Sequence, residues 1–472
     1  MTRTESPRAA PWKTADRFPH RPAVVVTGSE EGYTFRELTE RADSLARGLQ
    51  RAGVAEGAVV ATDIPTGPRF FALALAGLRH GYGVFPVGGH HFATPTADAL
   101  LTSTAAAVLV TDGARSPGPL PCPVVGDDEL AAAVASPPAA PESARRPRAG
   151  YLVFATSGTT GVPQAVLRPR PPRPYKGVAV AERYGAGTDR GAHVMANPTY
   201  HLGTLGPALY ALQAGSAVVV QRDWSAAGFV AAVDRYEADS AMLSPDRLLE
   251  LVEDGKAPHH PLRVVFHGGS ACPPAVKRSA IDLLGPVLHE YYGTSRGTLT
   301  EIGSEDWLDR PGAVGRPLPG IGIEIARDGH AVPAGAVGEI RVSLRGADRG
   351  DDEARFMDTG DIGFLDADGF LTVVGRADAS GDPDQARLEF EIRLIPGVTE
   401  VAVVGADLTC HVEVSRHCPA DVTPAVQAAA QRLGLALRGV VTGPTGSLPR
   451  TPSGKIARAA LAAAPAHADT GR

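Results

Sequence analysis

The stretch Tyr151–Pro169, YLVFATSGTTGVPQAVLRP, runs from an apolar segment directly into a group of hydroxyl residues and glycines. The apolar part, YLVFA, is typical of a buried strand. The glycines in the following part allow the backbone to turn tightly, and the Thr and Ser hydroxyl groups there add hydrogen-bond donors beside exposed N–H groups. These loop residues are Thr156, Ser157, Gly158, Thr159, Thr160 and Gly161. The pattern predicts a loop that surrounds phosphate oxygens.

This loop lacks the cation that usually accompanies a bound phosphate. No Gly-Lys-Ser/Thr follows it, so it is not a Walker loop, and no Gly-x-Gly-x-x-Gly opens a helix here. Gln164 stands after Gly-Val-Pro, where a lysine is expected. Taken alone, the stretch fits an ordinary surface turn equally well, so the rest of the chain must decide.

Composition excludes several classes of protein. A chain of 472 residues is too long for one ordinary domain, so two or more are expected. The net charge of −6, with Lys and Arg scattered, gives no footprint for nucleic acid. We find no apolar run long enough for a membrane span and no apolar signal core, which predicts a cytoplasmic protein without a membrane partner. Four cysteines do not make a disulfide framework, and CHVEVSRHC (410–418) lacks zinc-finger spacing.

Helix and strand patterns alternate along the first three quarters of the chain. The segment 33–53 predicts a helix with Thr34 as N-cap, Glu37 completing a capping box and Gly53 as the stop. Its predicted apolar face is Leu38, Ala42, Leu45, Ala46 and Leu49. Strand-like runs such as AVVATDIP and LRVVFHGGS alternate with helical ones such as RFFALALAGLRHG. This rhythm predicts mixed or parallel sheets covered by helices.

The residue pattern of the chain changes near Gly375. The segment GRADASGDPDQARLEFE (375–391) is polar and turn-rich, and GVTEVAVVGADLTCHVEVS then resumes strand-like alternation. These features place a domain boundary near Arg376 and predict a small C-terminal unit. The Ala/Pro-rich segment 134–150 is predicted to be a surface connection.

Several segments, in their order along the chain, resemble the adenylate-forming superfamily of acyl- and aryl-CoA ligases, peptide-synthetase adenylation domains and luciferases. They are TSGTTGVPQ (156–164), NPTYHLGTL (197–205), FHGGSACPP (266–274), HEYYGTSRG (289–297), DTGDIGFLDADGFLTVVGRAD (358–378) and LPRTPSGKIAR (448–458). The last two are highly specific, and the resemblance spans nearly the whole chain. Members of this family join a carboxylate to the α-phosphate of ATP, release pyrophosphate, and pass the acyl group to a nucleophile.

The resemblance implies roles for individual residues. Asp361 would accept hydrogen bonds from the ribose hydroxyls, and Arg376 would hold ribose or phosphate beside the hinge residue Asp378. Lys455, in the loop TPSGK, would bridge the α-phosphate and the substrate carboxylate during adenylation. His201, beside Tyr200, matches the acyl-pocket position, for which a purely structural histidine is the alternative. The remaining implied nucleotide contacts, apart from the phosphate loop, are Gly268, Gly269, Ser270, Tyr292, Gly293, Thr294 and Ser295.

Three departures from the family pattern concern chemistry. Gln164 replaces the loop lysine, which removes a cation near the outgoing phosphates. Arg296 stands where the family has the glutamate associated with Mg²⁺, so Arg296 could neutralise phosphate directly and Glu301 is a substitute metal ligand. The segment after Gly-Arg-Ala-Asp is shorter than in thioester-forming relatives, where it helps to shape the pantetheine tunnel, and this puts transfer to coenzyme A in question.

Three hypotheses follow from these residues. The leading one is an enzyme that uses ATP and Mg²⁺ to adenylate a small aromatic or short-chain acid, with coenzyme A as one acceptor. The composition resembles that of high-GC bacteria, in which such enzymes often serve secondary metabolism. The second hypothesis is a non-thioester acceptor, either an amine that becomes an amide or an aryl amine that is diazotised with ATP-activated nitrite. The third is a non-catalytic nucleotide-binding protein.

The expected architecture is α/β, with the active site in a cleft between two domains. A large N-terminal domain (1–375) would contain two sheet-and-helix subdomains and a small barrel near 310–375. A mobile, smaller α+β domain (376–472) would carry Lys455. The oligomeric state is left open.

Overall fold

The structure is a computed structural model that describes residues 10–93, 96–113, 119–132, 150–155, 164–168, 191–294, 297–344, 356–377, 383–405, 407–418, 420–450 and 456–463. By its internal contacts, the chain divides into two compact units. The first consists of Met1–Leu243 with Pro258–Phe266, and the second of Ser244–Ala257 with His267–Arg472. Because this division does not fall at residue 376, the domain boundary predicted there stays a prediction.

Two sheets built mainly of parallel strands form the first unit. The strands are β1 (Pro22–Val26), β2 (Gly32–Thr34), β3 (Val59–Thr62), β4 (Gly83–Pro86), β5 (Ala106–Thr111), β6 (Val124–Gly126), β7 (Tyr151–Ala155), β8 (Ala165–Arg168), β9 (Ala192–Met195), β10 (Ala217–Val220) and β11 (Ser240–Leu243). One sheet has the order β6-β5-β3-β4-β7-β8, and the other contains β11-β9-β10-β1-β2. Strand β12 (Val264–Gly268) has residues in both units.

Helices cover these sheets and bury their apolar faces. They are α1 (Ala10–Arg17), α2 (Phe35–Arg51), α3 (Pro68–His80), α4 (Thr96–Ser103), α5 (Asp127–Ala132), α6 (Leu202–Ala214) and α7 (Ala226–Tyr236). Helix α3 is buried almost all round, and one core joins α2, α3 and α6 to strands β1, β3 and β10. The alternating parallel architecture predicted from the sequence is confirmed here.

Helix α2 forms as its sequence predicts. Thr34 is the N-cap and makes a reciprocal capping box with Glu37, and the backbone N–H of Glu37 donates to the Thr34 hydroxyl at 3.3 Å. All five predicted apolar-face residues are buried. The helix ends at Arg51, and Gly53 follows with φ of +75°, a value that favours glycine.

The second unit begins with α-helices and continues into an antiparallel series of strands. Its helices are α8 (Pro245–Asp254), α9 (Pro274–Leu284) and α10 (Ser304–Asp309). Its strands are β13 (Leu288–Thr294), β14 (Gly297–Gly303), β15 (Ala313–Pro317), β16 (Ile321–Arg327), β17 (His330–Ala331), β18 (Gly338–Leu344), β19 (Met357–Leu365) and β20 (Leu371–Arg376). Their order is β17-β16-β18-β19-β20-β15-β14-β13, and strands β15 to β20 of this antiparallel series lie within the residues for which the small barrel is predicted.

The C-terminal residues of the second unit build a smaller α+β domain with its own core. It contains α11 (Pro383–Arg393), β21 (Val398–Val404), β22 (Thr409–Val414), α12 (Thr423–Arg432), β23 (Gly439–Pro444) and α13 (Arg458–Ala463). Strands β21, β22 and β23 form a three-stranded sheet in that order, and α11 and α12 pack on it. The predicted α/β class, with a large multi-sheet N-terminal body and a smaller C-terminal domain, is confirmed.

The described helices include none that is both long and apolar enough to cross a membrane.

Candidate functional site

An aspartate and an arginine on neighbouring strands form the centre of the candidate site. The antiparallel register of β19 and β20 places Asp361 directly opposite Arg376. The Arg376 guanidinium donates from Nη1 to Asp361 Oδ1 at 3.1 Å. The Asp361 side chain is 12% exposed and that of Arg376 is 39% exposed. A charged pair that still reaches solvent is available to a ligand.

The Thr-Gly-Asp sequence at 359–361 shapes the backbone around this pair. The Thr359 hydroxyl accepts from the Asp361 backbone N–H at 3.1 Å and donates to the carbonyl of Ile340 at 2.9 Å. Gly360 has φ of +78°, and a Cβ there would lie 3.0 Å from Arg376 Nη2. Gly360 therefore serves both the turn of the chain and the close approach of the guanidinium.

Tyr292 is the third member of the group. Its phenol donates to Asp361 Oδ2 at 2.6 Å. Burial, together with the negative charge of Asp361, holds the pKa of the Tyr292 phenol above its ordinary value, so the phenol stays a neutral donor. An ionised carboxylate offers about four acceptor positions. Asp361 can therefore keep both bonds and still accept hydrogen bonds from a vicinal diol.

The Gly268-Gly269-Ser270 segment starts at the last residue of β12. A Cβ on Gly268 would lie 2.5 Å from the carbonyl oxygen of Tyr291, the neighbour of Tyr292, so only glycine fits at this approach. Gly269 has φ of +91° with open space around it, and Gly269 and Ser270 are exposed. Bare, exposed backbone at a strand end is suited to contact a flat ring, as the resemblance implies for adenine.

A buried charged cluster lies next to this segment, and the sequence analysis missed it. Lys277 is fully buried, donates to Glu290 Oε2 at 2.6 Å and lies over the Trp307 ring at 4.8 Å. The His267 imidazole is also fully buried, with Nε2 4.0 Å from Glu290 Oε2. Burial and the charge of Lys277 hold the pKa of His267 well below its ordinary value. The sequence contains a signal for this cluster, because Lys277 lies on the otherwise apolar face of α9 and a buried lysine needs a charged partner.

Glu301, the substitute metal ligand, lies apart from the Tyr292 group. In the register of β13 and β14 it stands opposite Tyr291, and so on the other face from Tyr292. Its carboxylate contacts His289 Nε2 at 3.4 Å. The described residues contain no group of three or more His, Cys, Asp or Glu side chains that could hold a metal ion. Within the described part of the chain, the strand register therefore separates Glu301 from Tyr292.

Two predicted residues belong to the first unit. His201 is exposed, as the residue preceding α6, and its ring centroid is 4.5 Å from that of Tyr200. Tyr200 in turn contacts His90 at a centroid distance of 5.4 Å. Gln164 is exposed and immediately precedes β8. The structure thus adds His90 to the predicted Tyr200–His201 pair.

Most of the remaining predicted residues lie outside the described part of the chain. Gly293 and Thr294 are described at the end of β13, beside Tyr292. The others are Thr156, Ser157, Gly158, Thr159, Thr160, Gly161, Ser295, Arg296, Asp378 and Lys455.

Comparison with known proteins shows the family to which the chain belongs. A family model described as AMP-binding enzyme matches residues 11–350, so the chain belongs to the AMP-binding enzyme family. The family membership implied by the resemblance is thereby confirmed, and so is the prediction of an AMP-forming ligase, because CoA ligases are among the relatives.

Three similar proteins illustrate the range of relatives. The chain is 28% identical to a sulfoacetate–CoA ligase of Cupriavidus necator, over 84% of this chain and 83% of that protein. It is 29% identical to a salicylyl-CoA synthase/salicylate adenylyltransferase of a Streptomyces species, over 81% and 78%. Its fold is similar to that of o-succinylbenzoate CoA synthetase from Bacillus subtilis in complex with the acyl-adenylate intermediate. That similarity has a TM-score of 0.73 and 22% identity, and covers 97% of this chain and 98% of that one.

Proposed function

We propose that this protein activates a small carboxylic acid with ATP, forming an acyl-adenylate and releasing pyrophosphate. The observation that carries the proposal is the part-exposed Asp361 carboxylate on β19, held by Tyr292 and by Arg376 at the end of β20. A fixed anionic acceptor beside a cation suits a ribose diol that is attached to a phosphate.

The reaction is a displacement at phosphorus between two anions. A carboxylate oxygen attacks the α-phosphorus of ATP, a new C–O–P bond forms, and the bond to the β-phosphate breaks with its electron pair leaving on pyrophosphate. Positive charge must be placed where negative charge develops. Arg376 supplies one such charge beside the nucleotide, and Lys455 is proposed to supply the second at the α-phosphate.

The phosphate end of the site is proposed to differ from that of the relatives. The loop 156–161 would supply donors to the β- and γ-phosphates without the lysine that Gln164 replaces, and Arg296 would supply the missing charge. Mg²⁺ would enter with ATP as the counter-ion of its phosphates. Because Glu301 lies on the other strand face, we assign it no part in holding the metal.

The acid is proposed to be small and aromatic or short-chain. The Streptomyces relative is named for salicylate and the Cupriavidus relative for sulfoacetate, one aromatic acid and one short-chain acid. His201 and Tyr200, whose rings contact each other, would form part of the acyl pocket. Coenzyme A is the first proposed acceptor, as in these relatives, and a role in secondary metabolism remains a proposal.

A second candidate acceptor is an amine, or nitrite that is activated for diazotisation of an aryl amine. One observation favours it: only residues 377–382 separate Arg376, at the end of β20, from Pro383, at the start of α11. So short a connection leaves little chain for the segment that shapes the pantetheine tunnel in thioester-forming relatives. We also propose that a domain boundary lies at residue 376 and that Asp378 is the hinge about which a mobile C-terminal domain moves.

The test is pyrophosphate release from ATP and Mg²⁺ with a panel of aryl and short-chain acids. Each acid is supplied alone, with coenzyme A, and with an amine, and nitrite is supplied with an aryl amine. We expect acid-dependent release that Lys455→Ala lowers almost entirely, to a small residual rate, while AMP binding persists. Release of pyrophosphate that depends on nitrite would favour diazotisation over transfer to coenzyme A. If no acid of the panel causes pyrophosphate release although the protein still binds AMP, the proposed enzymatic activity is wrong and the protein is a non-catalytic nucleotide-binding protein.

A further inference from the structure

A pair of buried carboxylates lies at the base of the loop that carries Lys455. This base consists of residues 448–450 on one side of residues 451–455 and residues 456–458 on the other. The two sides are joined by an antiparallel bridge between Arg450 and Ile456 and by a hydrogen bond from the Ala457 N–H to the Pro449 carbonyl at 2.8 Å. Lys455 is therefore one residue away from a fixed backbone position.

Glu389, on α11, holds the side of the base that follows Lys455. Its carboxylate is buried and accepts from Arg458 Nη1 at 2.5 Å and Nη2 at 2.7 Å, a bidentate pair. The Val403 N–H donates to the same carboxylate at 2.8 Å, and Arg458 also donates to the Val403 carbonyl at 3.1 Å. These contacts tie the start of α13 to both α11 and β21.

Glu413, on β22, holds the other side. It is buried, accepts from the Leu448 N–H at 2.7 Å and from Arg450 Nη2 at 3.3 Å. The side chains beneath the base are apolar: Leu448, Leu461 and Ile456 pack with Ala402 and Val404. Two carboxylates from different elements thus hold the two ends of one short loop.

Neutralising Glu389 does not by itself require Arg458. Arg393, one turn further along α11, lies 3.5 Å from Glu389 and also pairs with Glu400 at 3.1 Å. The specific contribution of Arg458 is therefore geometric, since its two parallel hydrogen bonds fix both the position and the direction of the chain that leaves Lys455.

We propose that Arg458 and Glu389, with Arg450 and Glu413, are positioning residues that hold Lys455 for adenylation. This inference rests on the proposed function. A lysine that acts as a point charge on the α-phosphate loses effect steeply when it is displaced by an ångström.

The test is a double-mutant cycle on acid-dependent ATP–pyrophosphate exchange. We expect Arg458→Gln to lower kcat about 100-fold while AMP affinity stays unchanged, and Arg458→Lys to restore part of the loss. In a Lys455→Ala background, Arg458→Gln should cause no further loss, because its effect passes through the lysine. Arg438→Gln, which removes a surface pair with Asp407 in the same domain, is the matched control.

Three results would contradict the proposal. The first is an exchange rate of Arg458→Gln equal to that of the wild type, and the second is an equal fractional loss of exchange with and without Lys455. The third is a loss of exchange that is explained entirely by unfolding of the variant, as measured by thermal denaturation. If Arg458→Gln fails to fold, Arg450→Gln tests the other side of the base in the same cycle. Failure of the proposed function is distinguishable, since wild-type protein would then show no acid-dependent exchange at all.

Discussion

Asp361 and Arg376 face each other across the β19–β20 pair, with their side chains joined at 3.1 Å. The relationship follows from the hairpin itself, because the strands place residues 361 and 376 opposite each other in the antiparallel register. A nucleotide site built on two hydrogen-bonded strands is held more rigidly than one built on loops. Tyr292, from β13, adds a third element to it.

We predict that Asp361→Asn weakens AMP binding about 10- to 100-fold, because hydrogen bonds to a charged acceptor contribute about 1.5–3 kcal/mol. Isothermal titration calorimetry measures the change. The matched control is Asp358→Asn on the same strand, whose exposed side chain pairs with the Arg341 guanidinium at 3.2 Å. Equal affinity of wild type and Asp361→Asn would remove Asp361 from the ribose site.

Gly268 and Gly269 should respond differently to alanine. At Gly268 the new Cβ would press on the Tyr291 carbonyl at 2.5 Å, so β13 must shift and carry Tyr292 with it. At Gly269 only the positive φ opposes the change, at a cost of about 1–2 kcal/mol. We expect Gly268→Ala to lower AMP affinity more than Gly269→Ala does. Gly206→Ala in α6, where the added Cβ meets nothing within 4 Å, is the control for stability. The reverse order of affinities would contradict this reading of the segment.

The buried Lys277–Glu290 pair predicts strongly non-additive stability. Lys277→Met should lower the free energy of unfolding by about 3–5 kcal/mol, because it leaves Glu290 charged and buried without its partner. The double variant Lys277→Met/Glu290→Leu should recover most of that loss. Urea unfolding measures both changes, and a double variant no more stable than Lys277→Met would show that the ion pair is not the origin of the effect.

The burial of His193 predicts that the protein becomes less stable at acidic pH. Its imidazole is fully buried on β9, and burial lowers its pKa from 6.5 to about 4. As pH falls below 6.5 the unfolded chain takes up a proton that the folded chain does not. Stability is therefore fully present above pH 6.5 and falls until about pH 4, by about 3 kcal/mol in total.

His193→Gln should remove that part of the pH dependence, so the difference in unfolding free energy between wild type and variant should shrink from pH 7 to pH 4. His267 titrates in the same direction in both proteins and cancels in the difference. A constant difference across this range would show that His193 is not the titrating group.

Local signals carried most of what the sequence predicted. The capping box, the apolar face and the stop glycine of α2 all lie within one segment, so its bounds could be derived without knowledge of the fold. The strand–helix alternation of the first unit depends on similarly short patterns. The Thr-Gly-Asp residues were recognised through resemblance, but their hydrogen bonds to Tyr292 and Arg376 depend on strand register.

Pairings between distant segments could not be predicted. Glu301 looked available as a ligand because its distance along the chain from Arg296 is short, yet the β13–β14 register turns it to the face opposite Tyr292. The charged partners Glu290 of Lys277, Arg458 of Glu389 and Arg450 of Glu413 lie 13, 69 and 37 residues away along the chain, and no periodicity links these pairs. Only the fold shows that these buried charges are paired.

ATP–pyrophosphate exchange by the wild-type protein, with and without each acid of the panel, decides whether the site forms an adenylate. We expect label from pyrophosphate to enter ATP only when a suitable small acid is present, and we expect Asp361→Asn to slow this exchange while Asp358→Asn does not. Binding of AMP without exchange for any acid would contradict the claim that the site forms an adenylate.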